Sequence, residues 1–183
     1  MKHLGTQQIE TERLMLRRFR ESDDKDMFNN WASDDDVTKF LTWPAHSSIE
    51  VSRYILESWI KNYSDTKYYQ WCIELKRGKK AIGSIGVVDY NEAASSVEIG
   101  YCIGHKYWHK GYTSEALAAL IDFFFNEVGM NRVSSRHDPN NPNSGKVMKK
   151  CGLLYEGTRI RADHNNTGIC DEALYGIINP NFE

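Results

Sequence analysis

Hydrophobic and polar positions change period several times along the chain, and each change predicts an element. In residues 13–19, Leu14, Leu16 and Arg18 fall on one side of an extended chain, which predicts a first strand. Ser22, Asp23 and Asp24 offer caps for a helix carrying Met27, Phe28 and Trp31, and Ser47 or Ser48 caps a second with Val51, Tyr54, Ile55 and Trp59 at helical spacing. Residues 68–75 and 81–89, separated by a lysine-rich turn at Gly78, read as a hairpin, and residues 96–103 as its next strand. The clearest helix spans residues 111–128, where Ala116, Leu117, Leu120, Ile121, Phe124, Phe125 and Val128 recur at three and four residues before Gly129 ends it. Residues 132–137 form a short strand. Asn141 and Pro142 then start a helix running to about Cys151, and residues 153–160 and 169–178 are two closing strands. The order β-α-α-β-β-β-α-β-α-β-β predicts one mixed α/β domain over residues 1–183.

Composition narrows the function classes. Twenty-three Lys and Arg against 25 Asp and Glu leave a net charge of −2, and residues 1–91 carry 14 of each sign, so no basic face for nucleic acid is expected. Cys72, Cys102, Cys151 and Cys170 contain no Cys-x-x-Cys pair and read as reduced residues of a cytoplasmic protein. The N-terminus has no apolar signal core, and the most apolar stretch, residues 116–125, is short and interrupted by Asp122, so no membrane partner is expected. His105 and His109 lie four residues apart in a loop with no third ligand pattern, and no metal is expected there.

One segment carries chemistry. The strand containing Glu98 and Cys102 leads through a loop into Trp108-His109-Lys110-Gly111-Tyr112-Thr113-Ser114-Glu115-Ala116, the start of the long helix. A helix's first turn leaves backbone N–H groups without partners and carries about half a positive charge, which suits a phosphate. Gly111 lets the backbone approach such a ligand, and Lys110 adds a charge; the alternative is a plain glycine turn with a solvated lysine. No Gly-x-x-x-x-Gly-Lys-Ser/Thr occurs, and Gly83, Gly86, Gly100 and Gly104 do not build a dinucleotide fingerprint.

Three blocks, in order, resemble the GNAT N-acetyltransferases, and more closely their RimJ/RimL group, which acetylates ribosomal-protein N-termini. They are Glu10-Thr11-Glu12-Arg13-Leu14; Glu98-Ile99-Gly100-Tyr101 with Trp108, Lys110-Gly111-Tyr112 and Glu115-Ala116; and Asn141 with Ser144, Lys150-Cys151-Gly152-Leu153 and Glu156-Gly157. The likeness covers about residues 9–178. It implies the GNAT fold, a twisted, mostly antiparallel sheet with splayed central strands flanked by helices, and acetyl-CoA as co-substrate. By resemblance, main-chain groups of Cys102 and Ile103 pair with the pantetheine arm, and amides of His109, Lys110, Gly111, Tyr112, Thr113 and Ser114 wrap the pyrophosphate. Asn141 and Ser144 face the arm and sulfur, and Lys146 meets an adenosine phosphate. Met148 stands where many GNAT enzymes carry the tyrosine that protonates the leaving thiolate, so Ser144 becomes the substitute.

Direct acetyl transfer to an amine needs a base and a proton donor for sulfur. Glu98, at the edge of the splayed gap, is the candidate base acting through water, and Ser144 the candidate donor. Read without the resemblance, Glu98 is a surface glutamate of an alternating strand, Ser144 a first-turn serine and Asn141 a cap. A protein or peptide N-terminal amine is the leading acceptor. Small amines such as polyamines, aminoglycoside-like drugs or amino acids are the alternative, and a non-catalytic acyl-CoA-binding module is the rival of a different class. Residues 161–168 and Trp43-Pro44 are expected to frame the acceptor groove, with Asp34, Asp35 and Asp36 either drawing a cationic amine or simply starting a helix. Tyr54, Trp59 and Trp71 are expected in the core, and a homodimer is the assembly the relatives suggest.

Overall fold

A computed structural model describes residues 2–182. The chain begins with β1 (Ile9–Glu10) and β2 (Leu14–Arg17), followed by α1 (Asp24–Met27), which widens over Phe28–Ala32, and by α2 (Asp35–Thr38) and α3 (Ile49–Asn62). The meander β3 (Gln70–Leu75), β4 (Lys80–Asn91) and β5 (Ser96–Ile103) precedes α4 (Tyr112–Asp122), whose last turn broadens over Phe123–Val128. Then come β6 (Arg132–His137), α5 (Pro142–Lys150), β7 (Leu154–Asn165) and β8 (Gly168–Ile178). The eight strands form one sheet in the order β1-β2-β3-β4-β5-β6-β8-β7, antiparallel except where β5 meets β6. That pair is parallel because α4 carries the chain back across the sheet between them.

Each face buries its own cluster. Leu117 and Leu120 of α4, Phe124 in its broadened last turn and Met148 of α5 pack on Leu16, Trp71, Ile73, Ile99 and Val133. On the other face Met27, Trp31 and Leu56 cover Phe19, Cys72 and Ala81. The long helix is therefore built as its spacing predicts, and Gly129 ends it in the left-handed conformation, φ +78°.

Some expectations need correction. Tyr54 is 71% exposed and Val51 also faces outward, because α3 turns Ser52 and Leu56 inward instead. Trp71 is fully buried as expected, whereas Trp59 is only half-buried. The acidic run at Asp34 does start a helix, as the second of its two readings had it: the Asp34 side chain accepts the N–H of Asp36 and caps α2, a short helix left out of the predicted element order. β7 runs five residues beyond its predicted end, hidden by a register shift between Arg159 and Asp163 that breaks the alternation.

One irregularity opens the sheet. β5 and β6 pair only as far as Glu98 opposite Ser134, although both strands continue. At the same level β4 carries an extra residue between Val87 and Asp89, opposite Ile99 and Glu98. A bulge bends its strand and increases local twist, so β4 and β5 turn away where the pairing with β6 ends. Among the described residues no helix is long and apolar enough to cross a membrane.

Candidate active site

A cleft of about 420 Å³ occupies the gap. Its floor is Tyr101, Cys102 and Ile103 of β5; one wall is the loop and first turn of α4, and the other is the start of α5 from Asn140 to Val147, with Lys150 a turn further on. Asp36, Val37, Phe40 and Leu41 close one end.

The α4 wall is held open for a ligand. Gly111 caps the helix at φ +79°, a conformation costly for any residue with a Cβ, and His109 before it also has positive φ. No side chain caps the first turn, which leaves N–H groups of Tyr112, Thr113 and Ser114 facing the cleft wall without a capping acceptor. The loop is clamped from behind by the N-terminal block. Arg13 donates to the Lys110 carbonyl (2.9 Å), pairs with Glu115 (2.7 Å) and lies over the Tyr112 ring, while Glu115 also accepts from the Arg13 N–H (2.8 Å) and the Thr11 hydroxyl (2.6 Å). These contacts hold the Glu115 carboxyl below its ordinary range against the opposing effect of burial. Two of the resembling blocks, a hundred residues apart, are thus one structural unit.

The α5 wall faces the floor through a reciprocal pair. The Tyr101 hydroxyl donates to the Ser144 carbonyl (2.9 Å) and accepts from the Ser144 hydroxyl (3.1 Å). Burial raises the Tyr101 phenol well above its ordinary value, so it stays protonated and remains a donor. Met148, one turn beyond Ser144, is fully buried in the core and does not reach the cleft. Lys146 and Lys150, four residues apart, both line the mouth.

Glu98 stands elsewhere. Alternation along β5 puts Glu98 on the opposite face from Tyr101, and it is not among the cleft-lining residues. Its side chain is 18% exposed, and Oε1 lies 3.2 Å from Nε of Arg136. Burial pushes its carboxyl upward, Arg136 opposes that, and the like charges of Glu172 and Asp89 add to it.

The predicted residues therefore divide. Cys102, Ile103, His109, Gly111, Tyr112, Thr113, Ser114, Asn141, Ser144 and Lys146 share the cleft. Lys110 does not: its ammonium turns to the Lys106 carbonyl (2.8 Å). The Ile99 carbonyl accepts from Ser135 of β6 (2.7 Å), so the two-residue period turns the main chain of Tyr101 and Ile103 toward the gap and that of Cys102 toward β4. The Cys102 thiol lies 3.3 Å from the Ser84 hydroxyl, and burial raises it, which makes it a packing group and not a nucleophile. Tyr101 and Lys150 both line the cleft and stand in the quoted blocks but had no role assigned; Phe40, Leu41, Tyr107 and Val147 line it too without having been singled out.

The tip of the β7–β8 hairpin crosses to the end wall. Asn166 donates through its side chain to the carbonyls of Thr38 (2.9 Å) and Trp43 (2.8 Å), and through its main chain to that of Leu41 (3.1 Å). Asn165 meanwhile donates to Asp138 (2.8 Å), which also binds Asn140. The segments expected to frame the acceptor groove are thereby joined.

The cleft offers uncapped amides, cations and the strand edge at Tyr101, the Ile103 carbonyl already accepting from the Trp108 indole (2.8 Å), a set suited to a phosphorylated thioester arm. Residues 13–154 match the Acetyltransferase (GNAT) domain family. Over 172 residues the chain is 27% identical to YoaA of Bacillus subtilis (strain 168), an uncharacterised N-acetyltransferase, covering 94% of this chain and 97% of that one. Among solved structures, a GNAT-family acetyltransferase from Bacillus anthracis has a TM-score of 0.82 at 26% identity, over 94% of this chain and 99% of that one. RimL, the ribosomal L7/L12 alpha-N-protein acetyltransferase, in complex with coenzyme A, shares the fold with a TM-score of 0.82 at 20% identity, over 94% and 98% of the two chains. The chain belongs to the GNAT acetyltransferase family, with its mixed α/β fold. It is an acetyl-CoA-dependent N-acetyltransferase, and the likeness to the GNAT N-acetyltransferases read from the motifs is borne out.

Proposed function

We propose that the protein acetylates the N-terminal amine of a protein or peptide, with Glu98 as water-assisted base and Ser144 as proton donor to sulfur. The observation that supports this reading is that β5–β6 pairing ends at Glu98, with Ser144 lining the cleft on one face of the sheet and the Glu98 side chain on the other. Acetyl-CoA supplies the acetyl group as a thioester. Amides of Tyr112, Thr113 and Ser114, with Lys146 and Lys150, hold the phosphates, and the main chain of Tyr101 and Ile103 lies along the arm. The amine forms the new C–N bond as the C–S bond breaks; Glu98 receives the nitrogen's proton through water, and Ser144 gives one to the thiolate. An α-amine titrates near about 7.7–8.0 against about 10.4 for lysine, so it needs less from the base.

Product mass measured on a panel of N-terminal peptides, polyamines, aminoglycoside-like drugs and amino acids tests the acceptor. Modification of peptide N-termini in preference to the small amines supports the reading; preference for a small amine overturns it. Acetyl-CoA binding with no thiol release on any amine would instead favour the non-catalytic module. With the best acceptor, Glu98→Gln lowers kcat on the order of 10²-fold with acetyl-CoA affinity kept, and unchanged turnover removes Glu98 from the mechanism. Light scattering tests whether the protein is a homodimer.

A further inference from the structure

On the face of the sheet opposite α4 and α5, four strands bring charges together around one guanidinium. Nε of Arg136, on β6, lies 3.2 Å from Oε1 of Glu98 and 3.7 Å from Oδ2 of Asp163 on β7, and a terminal nitrogen lies 2.9 Å from Oε1 of Glu172 on β8. Glu172 is only 2% exposed, and its second oxygen pairs with Arg159 of β7. The Glu98 oxygen that faces Arg136 is shielded from solvent and makes no hydrogen bond. Its contact with Arg136 is thus an ion pair without a hydrogen bond, removed from solvent screening.

We propose that Arg136 is a positioning residue for the transfer, holding the Glu98 carboxylate ionised at the edge of the gap while Glu172 anchors the guanidinium from behind. This rests on the reading of Glu98 as the base. The groups facing Glu98 are Asp89 from β4, Arg136 from β6, Arg159 and Asp163 from β7, and Glu172 from β8. Burial, Glu172 and Asp89 favour the protonated, inactive carboxyl; Arg136 and Arg159 oppose them. Of the two cations, Arg136 is the one in contact with Glu98. Guanidinium cannot be deprotonated in a protein, so the opposition persists at every working pH.

The test follows the Glu98 carboxyl by ¹³C NMR titration, assigned with Glu98→Gln, and the acidic limb of kcat at saturating substrates. In Arg136→Gln both move to higher pH, and in Arg136→Lys, which keeps the charge, both return toward wild type. In Glu172→Gln, which removes a like charge and frees the guanidinium for Glu98, both move to lower pH. Should Arg136→Gln fail to fold, Arg136→Met, which keeps the aliphatic stem without the charge, is titrated in its place: an upward shift of the Glu98 carboxyl carries the proposal and its absence overturns it. An NMR titration that Arg136→Gln leaves in place overturns it as well. Wild-type turnover in Glu98→Gln would sink the base assignment instead, and the NMR shift would still decide whether Arg136 holds the carboxylate.

Discussion

Ser144 has its hydroxyl proton directed at Tyr101 and its carbonyl occupied by the same phenol, so neither side chain acts alone. The tyrosine fixes the rotamer of the serine and ties the first turn of α5 to β5. Tyr101→Phe removes both contacts without changing the ring's volume, at a stability cost of about 0.5–1.5 kcal/mol for each hydrogen bond. If Ser144 is the donor to sulfur, Tyr101→Phe and Ser144→Ala each lower kcat, and the double variant falls little further, with a coupling of roughly 0.5–3 kcal/mol. Steady-state rates of the four proteins measure it, and strictly additive losses would show that the two side chains work separately. Met148 explains why the pair matters: its place on α5 faces the core, where no polar donor could be solvated.

The loop entering α4 works as an element because its shape is imposed from two directions. Gly111 supplies the left-handed turn, and Arg13 with Glu115 fixes the loop against β2. A Gly111 Cβ would meet only ordinary contacts, Arg13 at 3.4 Å and Lys150 at 3.6 Å, so the backbone and not a clash sets the cost of substitution. Gly111→Ala is expected to destabilise by about 1–2 kcal/mol through the positive φ and to weaken acetyl-CoA binding as the amides lose their alignment. Calorimetric titration checks this; an unchanged dissociation constant would separate the loop from the pyrophosphate. The bulge in β4 is the matching device on the sheet, opening the floor at the level where the α4 and α5 walls diverge.

The whole molecule joins these parts around an open cleft, so its stability should report occupancy. Acetyl-CoA at about a hundred times its dissociation constant stabilises the native state by roughly 2.7 kcal/mol, which for a chain of this size raises Tm by about 5–11 °C. A thermal scan with and without millimolar acetyl-CoA measures the shift, and its absence would deny the cleft this ligand. The hairpin tip at Asn165 and Asn166 contributes to the same unity, linking the end wall at residues 38–43 to the loop before α5.

Local chemistry alone determined much of this protein. The helix of α4, the strands β5 and β6 and the Pro142 start of α5 follow from apolar period and the fixed φ of proline, which act between neighbours in sequence, whereas the cap expected of the Asn141 side chain is not made. The amide-rich start of α4 was legible for the same reason. The N-terminal block could be recognised as a motif, but its work as a clamp on Lys110 and Glu115 depends on contacts across some hundred residues. Likewise, alternation shows that Glu98 and Tyr101 face opposite ways, yet only the folded sheet decides that one meets Arg136 and Glu172 and the other Ser144. The extra residue in β4 and the register shift in β7 were hidden because a bulge breaks the period by which a strand is read. Spacing along the chain can place a carboxylate on a face; its charge state and partners are set by burial and by strands that arrive from elsewhere.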